Sequence, residues 1–400
     1  MKGILKNRNF ISFLYVFFGF LLTSVGYISW VYHLEEIGTA WSVDVLAMVI
    51  AYVFQAVGIV AYTVLMRIKP GYPLRKIFIV PVCILYIFFL FSSMFAAYIT
   101  GTFFFGFMIN LLGGVLLGGC FYCLTHLVDY DKRGTVFGVG YAASTLVMWL
   151  FSLIGHGSFL KSTFSIIVNA LIALFLAFAA MTCSKEYFND FFKNFARDQE
   201  RKKYPIERRH RNIRIIVISV IFVLCSSMIM KMGFFFPVSD IVKGVGLEYL
   251  SLFFVSGLLL SGFLIDQKRV FGTFGVLFAT LTAFVMIILQ KETLPGMIPM
   301  ALYYFLYGFV VLGRVILFTD HCRPLREERR SKFQAGYFAF GWLIGRIGDS
   351  LGTQLGIALS EQKYVMVGLA AVLCIATVFC AVRLIMLKKE EKDNALKGRN

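Results

Sequence analysis

The feature that most constrains this chain is a succession of long apolar segments separated by short polar ones. A helix needs about 20 mainly apolar residues to cross the hydrocarbon core of a membrane. With 59% hydrophobic and only 15% charged residues, the chain carries more apolar surface than a soluble core would bury. The sequence therefore predicts an all-α integral membrane protein of about twelve transmembrane helices in two six-helix halves. The expected spans are 10–32, 45–66, 77–99, 101–125, 136–157, 163–183, 213–236, 248–265, 271–290, 295–319, 333–358 and 364–387.

The distribution of Lys and Arg predicts how these spans are oriented. With the N-terminus in the cytoplasm, 32 of the 39 basic residues lie in cytoplasmic segments, counting Arg214 and Arg383 at the cytoplasmic ends of their spans, and 4 lie in outer loops. Basic residues accumulate in the cytoplasmic loops of membrane proteins. We therefore expect a multi-pass plasma-membrane protein with both termini in the cytoplasm. The net charge of +17 is spread over seven segments, which argues against a nucleic acid partner.

A basic stretch near the middle of the chain divides it into two similar parts. The expected units are an N-terminal six-helix half at 1–183, a cytoplasmic central loop at 184–212, a C-terminal half at 213–390 and a cytoplasmic tail at 391–400. The pattern R-x3-F-x2-G-Y begins at Arg133 and again at Arg329, between spans four and five and between spans ten and eleven. Repeated six-helix halves are typical of transporters.

Span eleven has one charged face and one glycine face. Arg346, Asp349 and Thr353 share a polar sector, and each charge costs roughly 2.5–3.5 kcal/mol at a helix centre, so both are expected to face the bundle interior. They form either a substrate or coupling site, with Asp349 as the candidate for a coupling proton, or an ion pair that holds helices together. Five glycines on another face allow close helix packing: Gly341, Gly345, Gly348, Gly352 and Gly356.

Four further polar residues within spans are candidate solute ligands: Gln55, Asn110, Tyr307 and Arg314. Each has a structural alternative. Gln55 and Asn110 are equally suited to interhelical hydrogen bonds, tyrosines pack well in any span, and Arg314 lies near enough to a helix end to snorkel. The sequence contains neither an ATP-binding loop nor a hydrolase motif, and the pair Cys120 and Cys123 has no second pair of metal ligands. We therefore expect no enzyme activity, no cofactor and no metal.

The end of span eight carries the most specific motif, Gly262-Phe-Leu264-Ile-Asp266-Gln-Lys268-Arg269. It resembles the loop motif of the major facilitator superfamily, Gly-x-Leu-x-Asp followed by basic residues, although the family has a second glycine where this chain has Arg269. The segment that begins at Arg133 also resembles the loop between spans four and five of that family. The loop after span two, where the family has another copy of the motif, lacks an acidic residue in this chain.

The resemblance implies alternating access and a latch between the halves, formed by Asp266, Lys268, Arg269 and Arg133. A carboxylate at Asp266 can accept hydrogen bonds from the free N–H groups at the start of span five. The alternative is an aspartate that merely ends span eight in water.

The expected function is a secondary active transporter that moves a small solute by alternating access, with protons as the candidate coupling ion. The alternative is a transporter-like sensor that binds a ligand without moving it. Arg346 and Arg314 outnumber Asp349, which favours an anionic or zwitterionic solute. A monomer in the lipid bilayer is expected.

Overall fold

The computed structural model describes residues 7–37, 41–69, 71–96, 98–153, 164–195, 206–238, 247–289, 297–321 and 337–397. Short 3-10 helices precede α3, α5 and α11, and the described residues contain no strand. The α-helices are α1 (Arg8–Glu36), α2 (Trp41–Ile68), α3 (Lys76–Met94), α4 (Ile99–Leu127), α5 (Arg133–Leu153), α6 (Phe164–Phe195), α7 (Ile206–Val238), α8 (Leu247–Gln267), α9 (Val270–Leu289), α10 (Met297–His321), α11 (Phe340–Ala358) and α12 (Lys363–Lys397).

Eleven of these α-helices contain stretches long and apolar enough to cross a membrane. The remaining one is α11, whose charged residues and glycines lower its mean hydropathy. This helix does not need an apolar surface all round, because it packs between α7, α10 and α2. Its buried face includes Trp342, Asp349 and Thr353. The low hydropathy of α11 is therefore compatible with a position inside the bundle.

The helices form two groups of six. In the first, α1 packs against α4, α5 and α6, and α2 packs against α4. In the second, α7 packs against α9, α11 and α12, and α8 packs against α10. The two halves meet where α5 lies against α8 and where α2 lies against α11. The predicted all-α membrane fold of two six-helix halves is confirmed.

The same close contact occurs once in each half. A Cβ on Gly58 of α2 would lie 2.0 Å from the backbone oxygen of Leu111 in α4. A Cβ on Gly257 of α8 would likewise lie 2.0 Å from the backbone oxygen of Phe305 in α10. Only glycine allows the helix backbones to approach so closely. The pairs α2–α4 and α8–α10 are thus packed in the same way.

Two helices extend into the segment expected to be the central loop. α6 continues to Phe195 and α7 begins at Ile206, so the described helices leave only 196–205 between them. α12 continues to Lys397, into the expected cytoplasmic tail. The second copy of the repeated pattern, which begins at Arg329, lies almost entirely outside the described residues. The division of the chain at 184–212 stays a prediction.

Candidate functional site

A buried ion pair joins α10 and α11. Asp349 and Arg314 are 0% and 1% exposed, and Nη1 of Arg314 donates to Oδ2 of Asp349 over 3.1 Å. The same oxygen accepts from the Tyr307 hydroxyl at 3.2 Å. Nη1 of Arg314 also lies 3.4 Å from Oγ of Ser227 on α7. Nε and Nη2 of Arg314 and Oδ1 of Asp349 are buried without a hydrogen-bond partner among the described residues. Oδ2 of Asp349 therefore accepts two hydrogen bonds, whereas Oδ1 of the same carboxylate has none from the described residues.

The glycine face of α11 makes room for this ion pair. A Cβ on Gly345 would lie 2.5 Å from Nη1 of Arg314, so any side chain there would occupy the space of the guanidinium. One turn earlier, a Cβ on Gly341 would lie 2.0 Å from the backbone oxygen of Arg314. Further along, Gly348 and Gly352 face α7, and Gly356 is buried. The stripe thus lies against α10 at one end and α7 farther along.

Arg346 points in a different direction, toward the N-terminal half. Its Nε donates to Oε1 of Gln55 on α2 at 2.8 Å, and the same oxygen accepts from Nε1 of Trp342 at 3.1 Å. The Arg346 guanidinium lies 4.5 Å from the ring centroid of Tyr52 and 4.7 Å from that of Trp342. Such distances allow cation–π attraction. Arg346 is therefore the charged residue of this cluster that connects the two halves.

The structure bears on the alternatives that the sequence left open for the arginines. Arg346 and Asp349 form an ion pair at the long distance of 3.8 Å between Nη1 and Oδ2, whereas Nη1 of Arg314 lies 3.1 Å from the same oxygen. The structural alternative for Arg314, a side chain that snorkels to the membrane surface, does not hold. Its guanidinium is buried, with an ion pair to Asp349 and the Trp342 ring 5.0 Å away. Arg314 has no need to reach water because its charge is compensated inside the half.

Two sequence candidates make hydrogen bonds within their own helices. The hydroxyl of Thr353 donates to the backbone oxygen of Asp349 at 2.8 Å. Nδ2 of Asn110 donates to the backbone oxygen of Gly106 at 2.9 Å. Neither contact links the residue to the arginines. Of the candidate ligands, the structure brings together Gln55, Tyr307, Arg314, Arg346 and Asp349.

Sequence reasoning missed several members of the cluster. Trp342 lies one turn before Arg346, so helical periodicity places both on one face. Tyr52 precedes Gln55 by three residues and could have been found in the same way. Lys231 on α7 has its Nζ 5.0 Å from the ring centroid of Tyr307. Together with one carboxylate, the basic residues give the cluster a positive excess.

A second arrangement lies where α8 and α10 end and α5 begins, which we call the Asp266 end of the bundle. Asp266 accepts hydrogen bonds from the backbone N–H of Gly134 at 2.8 Å and of Thr135 at 2.5 Å. A carboxylate at a helix start satisfies free donors and complements the helix dipole. The contact expected between Asp266 and the start of span five is therefore present. It joins the C-terminal half to the N-terminal half.

Arg269 extends this contact. Its Nη1 lies 2.6 Å from Oδ1 of Asp266, its Nε lies 2.8 Å from Oδ2 of Asp320, and its Nη2 donates to the backbone oxygen of Tyr130. Burial alone would lower the pKa of Arg269, but the Asp320 and Asp266 carboxylates raise it above the ordinary arginine value. Lys268 is exposed, and its Nζ lies over the ring of Phe271, 5.9 Å from the centroid. The structure thus places Arg269, but not Lys268, in this network.

Arg133 crosses between the halves at the same end. Its Nη2 donates to the backbone oxygen of Thr125 at the end of α4, and its Nη1 donates to that of Thr319 at the end of α10. Nη1 also lies 3.5 Å from Oδ1 of Asp320. Asp320 was not a sequence candidate, although it occupies the end of span ten. Asp266, Arg269 and Arg133, which the sequence predicts to form a latch, therefore belong to one network completed by Asp320.

Comparison with known proteins gives a match of fold but not of sequence. No family model and no curated protein matches the chain. A crystal structure of a mutant of the peptide transporter POT in complex with sulfate superimposes with a TM-score of 0.59 over 94% of each chain, at 13% sequence identity. At that identity the likeness concerns the fold alone. The fold that the loop-motif resemblance implied is thereby confirmed, and the chain has an overall fold similar to that of this peptide transporter.

Proposed function

We propose that the protein is a secondary active transporter that moves a small solute across the membrane by alternating access. The observation that carries this proposal is the buried charged cluster of α10 and α11, which meets the N-terminal half at Gln55. Charged residues inside a membrane bundle are costly and typically mark solute or ion pathways. In transporters of repeated halves, the solute site lies near the midplane between the repeats. The cluster lies at such a junction.

The Asp266 end supports one closed state of this cycle. Asp266 binds the start of α5, and Arg133 binds the end of α10, so each half holds the other. Nearer the middle of the bundle, the ring of Tyr62 on α2 contacts that of Phe338, with centroids 6.3 Å apart. We propose that these contacts form the latch that closes this end and that they separate when the solute passes. By the distribution of basic residues, this end faces the cytoplasm.

The charge of the cluster indicates the class of solute. Arg314 and Arg346 share the single carboxylate of Asp349, so one of the two arginine charges remains for a solute group. An anionic or zwitterionic solute would supply the missing negative charge. The peptide transporter of similar fold was crystallised with sulfate, and peptides are themselves zwitterions. A carboxylate or phosphate group is therefore the solute feature that we expect this cluster to recognise.

Asp349 is the candidate residue for proton coupling. It receives donors from Arg314 and Tyr307 at Oδ2, while Oδ1 has no partner in the described part of the chain. A proton on this carboxylate would weaken its attraction for Arg314 and leave that arginine to the solute. Coupling by this route requires the ion pair to open during transport. The protein would act as a monomer in the plasma membrane, with both termini in the cytoplasm.

Uptake by proteoliposomes tests the proposal. Purified protein is reconstituted, and accumulation of labelled carboxylates, phosphate esters, amino acids and dipeptides is compared with that of empty liposomes, with and without a pH gradient. We expect saturable uptake of at least one anionic or zwitterionic solute, which Arg346→Ala abolishes. Binding of a solute that never enters the liposomes would instead establish the alternative, a membrane sensor.

A further inference from the structure

The Gln55 side chain occupies an unusual position in the junction between the halves. Its Oε1 accepts from two donors of α11, Nε of Arg346 at 2.8 Å and Nε1 of Trp342 at 3.1 Å. Two donors converging on one oxygen is an arrangement suited to an oxyanion. An arginine binds an ionised oxygen more strongly than a neutral one, because both partners are then charged. The neutral amide of Gln55 is therefore a weaker acceptor at this position than a carboxylate or phosphate would be.

The backbone of Gln55 is held in place from the other side. A Cβ on Gly114 of α4 would lie 2.1 Å from the backbone oxygen of Gln55, so the two helices touch there without an intervening side chain. Gln55 itself is buried, with 6% of its surface exposed. The helix cannot move toward α4, whereas the Gln55 side chain has rotatable bonds of its own. A competitor for Arg346 would therefore displace the side chain first.

The surroundings can accept a charged competitor. Arg346 is 15% exposed, in contrast to Asp349 at 0%, so it is the more accessible member of the cluster. The rings of Tyr52 and Trp342 lie against its guanidinium and keep it in position. Nearby, Nε and Nη2 of Arg314 have no acceptor among the described residues. The unpartnered N–H groups of Arg314 are therefore further donors within the same cluster.

We infer that Gln55 Oε1 occupies the position of a solute oxygen, and that a carboxylate or phosphate group of the solute binds Arg346 and Trp342 by displacing Gln55. The inference rests on the proposed function, which makes this junction the solute site. Because Gln55 belongs to α2 and its donors to α11, anion binding also breaks a contact between the halves. Gln55 would therefore couple recognition of the anion to separation of α2 from α11.

The wild type and two variants at position 55 test this inference by binding alone. Wild type, Gln55→Ala and Gln55→Glu are purified, and their thermal unfolding is followed during titration with sodium acetate or sodium phosphate, with sodium chloride at equal ionic strength as reference. A ligand that binds the folded state raises its stability in proportion to RT ln(1 + [L]/Kd). Asn169→Asp is the matched control, since Asn169 is a buried amide of the same half that donates within α6 to Ser165.

Gln55→Ala removes the competitor, so the Kd of the anion obtained from the stabilisation should fall about tenfold, the factor expected for losing one hydrogen bond to a charged group. Gln55→Glu supplies a tethered carboxylate, so the added anion should bind at least about tenfold more weakly than to wild type. Asn169→Asp should bind like wild type. A response to acetate alone identifies a carboxylate site, and a response to phosphate alone identifies a phosphate site.

Two results would overturn the inference. One is equal binding by wild type, Gln55→Ala and Gln55→Glu; the other is no stabilisation of Gln55→Ala by either anion beyond sodium chloride. If Gln55→Glu is not monodisperse, the comparison of Gln55→Ala with wild type decides alone. Anion binding without uptake would reject the proposed transport and keep this inference. Uptake of a neutral solute without anion binding would keep the proposed transport and reject this inference.

Discussion

The two seams at which the halves meet are built from different contacts. Along the α5–α8 seam the backbones touch: a Cβ on Gly134 would lie 2.7 Å from the carbonyl oxygen of Gly262, and the reverse distance is also 2.7 Å. Along the α2–α11 seam the contact is made by side chains, through the hydrogen bond from Arg346 to Gln55. Two repeated halves would be expected to meet in two similar seams, so a difference between the seams points to different functions.

The difference suggests that the two seams have different functions in the transport cycle. Backbone contact along α5–α8 leaves no room for a solute, and its end carries the polar network of Asp266, Arg269 and Asp320. The corresponding loop after α2 lacks an acidic residue, as the sequence already shows. Side-chain contacts along α2–α11 can be exchanged for contacts with a solute. In the proposed cycle, α5–α8 therefore holds the closed state, and α2–α11 senses the solute.

The largest effect is expected from breaking the ion pair behind the α2–α11 seam. Asp349→Leu leaves Arg314 buried without its carboxylate, which should lower the free energy of unfolding by about 3–5 kcal/mol. The double variant Arg314→Leu, Asp349→Leu should recover most of that loss, because an apolar pair carries no unpaired charge. Thermal unfolding of the purified variants measures both. If Asp349→Leu were as stable as wild type, Arg314 and Asp349 would not form the buried ion pair described above.

The next largest effect is expected at the α5–α8 seam. In Gly262→Ala the new methyl group meets the backbone of α5, so the seam must widen, at a cost of about 1–3 kcal/mol in unfolding free energy. Gly368→Ala on α12 is the matched control, because a Cβ there meets nothing within 4 Å. The control should be neutral or slightly stabilising. Equal stability of the two variants would remove the basis for distinguishing the seams.

A smaller effect is expected on the closed state itself. Asp266→Asn keeps an acceptor for Gly134 but loses the charge that holds Arg269, at a cost of about 1.5 kcal/mol, or roughly tenfold in the population of the open state. A cysteine introduced as Tyr62→Cys should then react roughly tenfold faster with a membrane-impermeant maleimide. Asp131→Asn, an exposed acid at the same end, serves as control. Unchanged labelling in Asp266→Asn would contradict the latch.

The smallest effect is expected from Lys268. Its ammonium lies over Phe271, apart from the network, so Lys268→Gln should change unfolding free energy by no more than about 0.5 kcal/mol. Arg269→Gln should cost more, because it removes an ion-pair partner from both Asp266 and Asp320. The same labelling and unfolding assays apply. If Lys268→Gln lowered the free energy of unfolding more than Arg269→Gln, Lys268 and not Arg269 would be the basic residue of the network.

The sequence predicts those features that depend on one helix or one motif. Hydropathy identifies eleven of the twelve described α-helices as spans, and helical periodicity is sufficient to place Arg346 and Asp349 on one face of the remaining helix, α11. The contact of Asp266 with α5 follows from its position at a helix end. The pairing of Asp349 with Arg314 could not be predicted, because it depends on how α10 and α11 pack. Lys268 and Arg269 are adjacent basic residues whose side chains point to different neighbours. The sequence motif could not predict which of the two contacts Asp266 and Asp320.

Cross-linking the α2–α11 seam tests alternating access most directly. Tyr62→Cys and Phe338→Cys replace two rings in contact between α2 and the 3-10 helix that precedes α11, and a short reducible bis-thiol reagent can join them in the closed state. The reconstituted protein is assayed for uptake of the labelled solute found by the proteoliposome screen, before cross-linking, after it and after reduction. Alternating access predicts that cross-linking abolishes uptake and that reduction restores it. Uptake at the full rate by fully cross-linked protein would contradict the account.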